Sequence, residues 1–230
     1  FMVISDAIIS PSGTGNIYMN ATPRVIYGWA KAGTFFKAFT HIDKASGIPR
    51  PALWLTFGLS IFWTLPFPSW EQLISVVSAA LVLSYAIAPV TAAGLRRNAP
   101  DLPRPFRVRA FGIIGPVSFM ISALIVYWSG WNTLSWLLGL QIVMFVVYVM
   151  CKGKVSEHTV SLAQQVKSSL WLIVFYALII LFSWLGSFGG LNVIGHPWDT
   201  VLVAAMSLGI YYWGARSCLP QANFSGDEEE

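Results

Sequence analysis

The sequence predicts an all-α integral membrane protein of seven transmembrane helices, and three observations carry that prediction. Hydrophobic residues make up 56% of the chain and charged residues 10%, where a soluble domain carries about 25% charge; mean hydropathy is +0.64. The apolar runs are about 15–25 residues long, which suits spanning helices and not the alternating ten-residue strands of a barrel. All 14 Lys and Arg fall in alternate segments between those runs, the pattern expected when these segments stay on the cytoplasmic side.

The elements follow in order. Helix one is predicted over 1–27, interrupted by Pro11 and Pro23. Because the chain opens inside an apolar run with no start Met or signal peptide, it is expected to be a fragment that begins within a helix. A polar stretch closing on Gly47-Ile48-Pro49-Arg50-Pro51 leads to a short helix two over 52–65. Pro66-Phe67-Pro68-Ser69-Trp70 reads as a turn, and helix three runs over 71–95. Its small residues suit close helix contact, and Pro89 should bend it. Helix four is expected over 111–128, a turn over 129–133, helix five over 134–150, helix six over 170–187 and helix seven over 198–215. A linker at 151–168 and an acidic tail at 217–230, the latter disordered, complete the division.

Orientation follows from charge. One side holds Arg24, Lys31, Lys37, Lys44 and Arg50, then Arg96, Arg97, Arg104, Arg107 and Arg109, then Lys152, Lys154 and Lys167, and finally Arg216. The opposite segments hold none, so the C-terminus is expected in the cytoplasm. Trp70, Trp128, Trp131, Trp136, Trp184 and Trp198 fall at the outer ends, and Trp29, Trp54, Trp171 and Trp213 near the inner ones, as interfacial rings should. The basic residues are thus accounted for by topology, and no nucleic-acid partner is expected; lipid is. The last two helices carry bulky apolar residues and are expected at the periphery, with no buried ionisable group. Cys151 and Cys218 sit at helix ends and suggest neither a disulfide framework nor a metal site.

The chemistry is expected in helix one. Between Ile9 and Gly33 an apolar run passes into hydroxyls, amides, glycines and prolines. Backbone broken in a membrane is tolerated only where it faces protein or a water-filled cavity, and transporters place solute and ion sites there. Ser12, Thr14, Asn16 and Tyr18 are the candidates to line such a path. Ser12 and Thr14 point about 200° apart in a regular helix, so they converge only if the helix unwinds at Gly13. The alternative is that these small residues merely let helices pack closely. Asp6 is an intramembrane carboxylate, costly and so a functional candidate, but about 27 Å of helix separates it from Arg24. That places it in a vestibule, where solvation or capping competes with proton relay. Glu71 reads as a helix cap. His41, His158 and His196 lie in loops with no zinc spacing. No nucleophile–base pair, P-loop or dinucleotide fingerprint appears, and no enzyme or cofactor is expected.

Two motifs carry a family resemblance. Arg24-x-x-Tyr27-x-x-Ala30-Lys31-x-Gly33 resembles the cytoplasmic end of the eighth helix in amino acid permeases of the amino acid–polyamine–organocation superfamily. Leu95-Arg96-Arg97, Pro100-Asp101 and Arg104-Pro105-Phe106-Arg107 are similar to the connection after the tenth helix. Two helices beyond the usual twelve make the chain similar to the fourteen-helix, aspartate–proton symporter type. The resemblance implies helices eight onward of a LeuT-like inverted-repeat transporter, with 1–150 the end of the transport domain and 169–216 two added helices. It implies secondary transport of an amino acid solute by alternating access in the plasma membrane, acidic amino acids being one choice of solute. The coupling ion it implies is H+, with Na+ the alternative. In sodium-coupled members it places hydroxyls such as those of Ser12 and Thr14 around a cation, where proton-coupled members put a Lys from elsewhere and this chain has none in the membrane; it also implies a solute-facing aromatic at Tyr18 and the main solute site in missing N-terminal helices of the same transporter. A non-transporting membrane scaffold or interaction subunit would share this packing and topology.

Overall fold

The computed structural model describes residues 2–33, 35–44, 46–65, 69–100, 103–151 and 162–218. The Pro66–Pro68 part of the expected turn, Asp101 in the second motif, Lys152, Lys154, His158, most of the linker and nearly all of the acidic tail lie outside these residues. The described chain is all-α: α1 (Met2–Lys31), a 3-10 turn (Lys37–Thr40), α2 (Arg50–Thr64), α3 (Trp70–Asn98), α4 (Phe111–Trp128), α5 (Gly130–Cys151), α6 (Leu162–Leu185) and α7 (Trp198–Ser217). Seven helices match the number predicted. Four of them, α3 to α6, are long and apolar enough to cross a membrane on length and composition alone. Three ends differ from expectation by four residues or more. α1 continues to Lys31, α5 begins at Gly130 inside the expected turn, and α6 begins at Leu162 inside the expected linker.

The chain divides into two units: Phe1–Trp70 with Met144–Thr159, and Glu71–Val143 with Val160–Glu230. In the first, α1 packs on α2 through Ile26, Ala30, Ala52 and Thr56, all buried. Phe35, Phe36 and Phe39 form an aromatic knot beside Trp29. Asp43 pairs with Arg50 at 2.9 Å and accepts the Ser46 hydroxyl at 2.6 Å, closing the turn before α2.

In the second unit α3, α4, α6 and α7 share a core with Leu134, Leu137 and Leu138 of α5. Phe119 sits at its centre, with ring centroids 5.1 Å from Phe175, 6.1 Å from Tyr211 and 6.4 Å from Trp171. Close approach depends on missing side chains: a Cβ on Gly214 would overlap both Trp171 and Val90. Trp171 is only 7% exposed, so it serves as a core residue and not as the interfacial anchor expected of it; Trp29, Trp54, Trp70, Trp136 and Trp198 are exposed, as anchors should be.

Two arginines of the second motif, Arg96 in the last turn of α3 and Arg104 in the loop after it, have a structural use. Arg104 folds back over the end of α3, donating to Leu95 O at 3.1 Å, a carbonyl that also accepts from Ala99 N at 3.0 Å, and to Ala99 O at 2.5 Å and Pro100 O at 2.9 Å just past the helix. Arg96 stacks over Phe111 at 4.0 Å. Asn98 donates to Cys218 O at 3.2 Å, joining the ends of α3 and α7, and burial pushes the Cys218 thiol's pKa up.

Candidate functional site

α1 is a continuous helix of 30 residues, and this corrects the expectation of unwinding at Gly13. Pro11 and Pro23 interrupt its hydrogen bonding without breaking its course. Each lacks an N–H, so the carbonyl four residues earlier loses its usual donor. The nearby hydroxyls bond to other carbonyls: Ser12 donates to Ile8 O at 2.6 Å and Thr14 to Ser10 O at 2.9 Å. Back-bonding of this kind holds each hydroxyl against its own turn, yet leaves the oxygen's lone pairs free to accept.

The regular helix sorts the candidates onto different faces, since residues four apart neighbour one another and residues two apart do not. Ser12, Asn16, Asn20 and Arg24 form one ridge. Asp6, Ser10, Thr14 and Tyr18 form another. Ser12 and Thr14 therefore stay apart, and so do Asn16 and Tyr18. The first ridge is knit together: Asn20 donates to Asn16 O at 2.9 Å and to Asn16 Oδ1 at 3.2 Å. Asn16, Ile17, Asn20, Ala21, Arg24 and Val25 line a shallow open groove. Ser12, Thr14, Asn16, Tyr18 and Asp6 are all exposed, Tyr18 at 52%. Asn20, which completes the groove, was not singled out by the sequence reading; its four-residue spacing from Asn16 and Arg24 was the available signal.

A second polar constellation lies in the other unit and was also missed. Asp199, in the first turn of α7, is 1% exposed. Its Oδ2 accepts from Tyr127 Oη at 2.8 Å, Ser187 Oγ at 2.5 Å and Ser187 N at 3.3 Å. Its Oδ1 accepts from Thr200 N at 2.6 Å and Thr200 Oγ1 at 3.2 Å, with His196 Nδ1 at 3.6 Å. This buried carboxylate overturns the expectation that the last two helices carry no buried ionisable group. The signal was present: Asp199 is the only Lys, Arg, Asp or Glu between Lys167 and Arg216.

The loop that presents Ser187 is built by capping. The N–H groups of Leu191, Asn192, Val193 and Ile194 donate to Trp184 O, Gly186 O and Leu185 O at 2.7–3.0 Å, folding the chain back over the end of α6. A Cβ on Gly186 would overlap the Tyr127 hydroxyl. Trp131 N donates to Phe188 O at 2.9 Å, fastening the loop to the start of α5.

The sequence profile described as amino acid permease matches residues 1–134, which take in α1 with its polar ridges and both arginine motifs. The chain belongs to the amino acid permease family. Among relatives, the permease chain is 55% identical over 228 residues to the "Aspartate-proton symporter" of Bacillus subtilis (strain 168), covering 99% of this chain and 44% of that protein. It is 33% identical over 218 residues to the "Glutamate/serine transporter AimA" of the same organism, covering 94% of this chain and 40% of that protein. The chain thus spans less than half the length of these curated relatives. No solved structure matches it. The family assignment agrees with the resemblance in the two arginine motifs, and with four helices able to cross a bilayer it supports an integral membrane protein.

Proposed function

We propose that the chain is part of a proton-coupled secondary transporter of amino acids, acidic ones among them, working by alternating access in the plasma membrane with its C-terminus in the cytoplasm. The observation that carries this reading is 55% identity, over 99% of the chain, to a protein named for aspartate–proton symport. The geometry of α1 supports a share in the solute path. In an apolar chain it keeps an exposed ridge of Ser12, Asn16, Asn20 and Arg24, and a second of Thr14 and Tyr18 with Asp6 towards the outer end. Polar atoms in a bilayer need protein, water or solute as partners. The ridge with Arg24 offers amide and guanidinium donors to an anionic solute, and the Ser12 and Thr14 oxygens offer acceptors to a coupling ion. Helices outside this chain complete the main solute site. No catalytic or cofactor chemistry is assigned to these residues.

The test is uptake of radiolabelled aspartate by the full-length protein in liposomes, with an inward proton gradient, an inward sodium gradient, or neither. Accumulation only under the proton gradient is expected. Accumulation driven by sodium would replace the coupling ion. Absence of uptake of every amino acid tried, from protein folded and inserted, would favour a scaffold instead. Impermeant thiol labelling in intact cells tests the topology: cysteines placed at Asn132 and Gly190 should react from outside, and one at Asn98 should not.

A further inference from the structure

We propose that the acidic run Asp227-Glu228-Glu229-Glu230 docks on an arginine face formed where the end of α3, the loop after it and the end of α7 meet in the second unit.

Four exposed arginines gather on that face. Arg97 lies in the last turn of α3, next to Arg96. Arg107 and Arg109 flank Val108, whose carbonyl accepts from Arg96 Nη1 at 3.5 Å, so the far part of the loop returns to the same turn. Arg216, in the last turn of α7, stands two residues before Cys218, whose carbonyl accepts from Asn98 Nδ2 at 3.2 Å. Arg97, Arg107, Arg109 and Arg216 are all exposed, and none of them is in an ion pair among the described residues. Their neighbours are committed elsewhere: Arg96 lies over Phe111, and Arg104 donates to backbone carbonyls. The described carboxylates of this unit, Glu71 and Asp199, stand in the first turns of α3 and α7, at the opposite ends of those helices. Between 96 and 109 the sequence has one carboxylate, Asp101, which lies outside the described residues. The face therefore carries a surplus of positive charge.

The acidic run is tethered at this face. The Asn98–Cys218 bond and the close approach of Cys218 Sγ to Gly94 bring the end of α7 against the end of α3. From Leu219 to Gly226 the chain has no charged residue, and then four carboxylates follow in a block. Nine residues of chain reach about 30 Å when extended, enough to carry that block across both helix ends. Single exposed ion pairs contribute little, whereas several charges acting together hold, and a guanidinium takes a carboxylate through two parallel bonds. The tether makes the encounter intramolecular, at an effective concentration of order millimolar for a short linker. Anionic lipid headgroups are attracted by the same arginines and are the competing occupant.

The experiment measures the distance between nitroxide labels on cysteines placed at Phe106, which is 81% exposed, and at Gly226. It uses the full-length protein with its native cysteines replaced by serine, in nanodiscs of phosphatidylcholine or of phosphatidylglycerol. A short, narrow population is expected in both lipids at about 0.05 M salt, falling about threefold or more at about 1 M, where charges are screened beyond about 3 Å. The same fall is expected at low salt when Asp227→Asn, Glu228→Gln, Glu229→Gln and Glu230→Gln are combined. Arg107→Glu with Arg109→Glu should also abolish the population, and adding Asp227→Lys and Glu228→Lys should restore it. The neutralised tail leaves every described residue intact, so it carries the test even where the arginine variants do not insert. A distance distribution that is the same for native and neutralised tails overturns the proposal. A short population present in phosphatidylcholine and absent in phosphatidylglycerol assigns the arginines to lipid and overturns the tail as their occupant. The readout does not depend on transport, so this contact stands or falls apart from the proposed function.

Discussion

The polar residues of α1 and those around Asp199 look alike in the sequence and are used in opposite ways. On α1, Ser12 and Thr14 bond only to the preceding turn, Asn16 and Asn20 to each other and to their own helix, and all are exposed. Around Asp199, groups from α4, the α6–α7 loop and α7 converge on one carboxylate and leave it 1% exposed. The first set has capacity left over for a solute, an ion or another helix. The second has spent its capacity on holding three elements together. Polarity within an apolar chain therefore does not distinguish a transport path from a structural joint; partners distant in sequence do.

The sharpest break of this comparison is Asp199→Ala. It leaves the Tyr127 hydroxyl and the Ser187 and Thr200 donors facing no acceptor, at about 1–3 kcal/mol for each buried group stranded. A loss of about 3 kcal/mol or more is expected in thermal or denaturant unfolding of the full-length protein. Unchanged unfolding would mean the joint holds nothing. Gly186→Ala should cost about 1–3 kcal/mol in the same assay, because the added methyl meets Tyr127 Oη and the Phe182 carbonyl in a packed interior. On α1 the readout changes from stability to transport. Thr14→Val keeps shape and removes the free lone pairs, and uptake should fall about tenfold, equivalent to ~1.4 kcal/mol, with the unfolding temperature unmoved. Equal uptake would return α1 to a packing role. Gly13→Ala has open space around the new methyl and should stabilise the helix by roughly 0.5–1 kcal/mol. If transport needs α1 to unwind there, the same change will slow uptake, separating stability from function at one position. Ser46→Ala, which removes an exposed bond to Asp43, should stay within about 0.5 kcal/mol and leave uptake alone.

Helix number and family were legible because each rests on local pattern. The length of apolar runs and the arrangement of arginines are properties of the chain itself. The Arg96-to-Arg107 loop shows how far such reading goes. Its order of residues marked the family, but that Arg104 folds back onto the end of α3 was hidden, since the carbonyls it meets at Leu95 and Ala99 come within its reach only where the chain turns after the helix. Helix ends failed where polar residues sit inside a helix, as in α6 from Leu162. Unwinding at Gly13 failed for a related reason. Proline and glycine permit a break but do not impose one, and the helix runs on through Pro11, Gly13 and Pro23. Asp199 stood out as a lone carboxylate, but its use was hidden because the Tyr127 that explains it lies 72 residues away.

The glycines set against aromatic hydroxyls have a consequence for descent and for genetics. Gly186 faces Tyr127 and Gly115 faces Tyr211, and in each case a Cβ would occupy the space of the phenol oxygen. Bulk at such a pair is conserved as a sum, so neither partner can drift alone. A lineage that replaces Gly186 with alanine should be found with Phe or a smaller residue at 127, and one that enlarges 115 should have trimmed 211. In the laboratory the same rule predicts second-site suppressors. Selection for restored expression of Gly115→Ala should return changes at Tyr211, on a different helix and 96 positions along the chain. Gly186→Ala is the harder case, because shortening Tyr127 relieves the overlap with its hydroxyl but not the one with the Phe182 backbone.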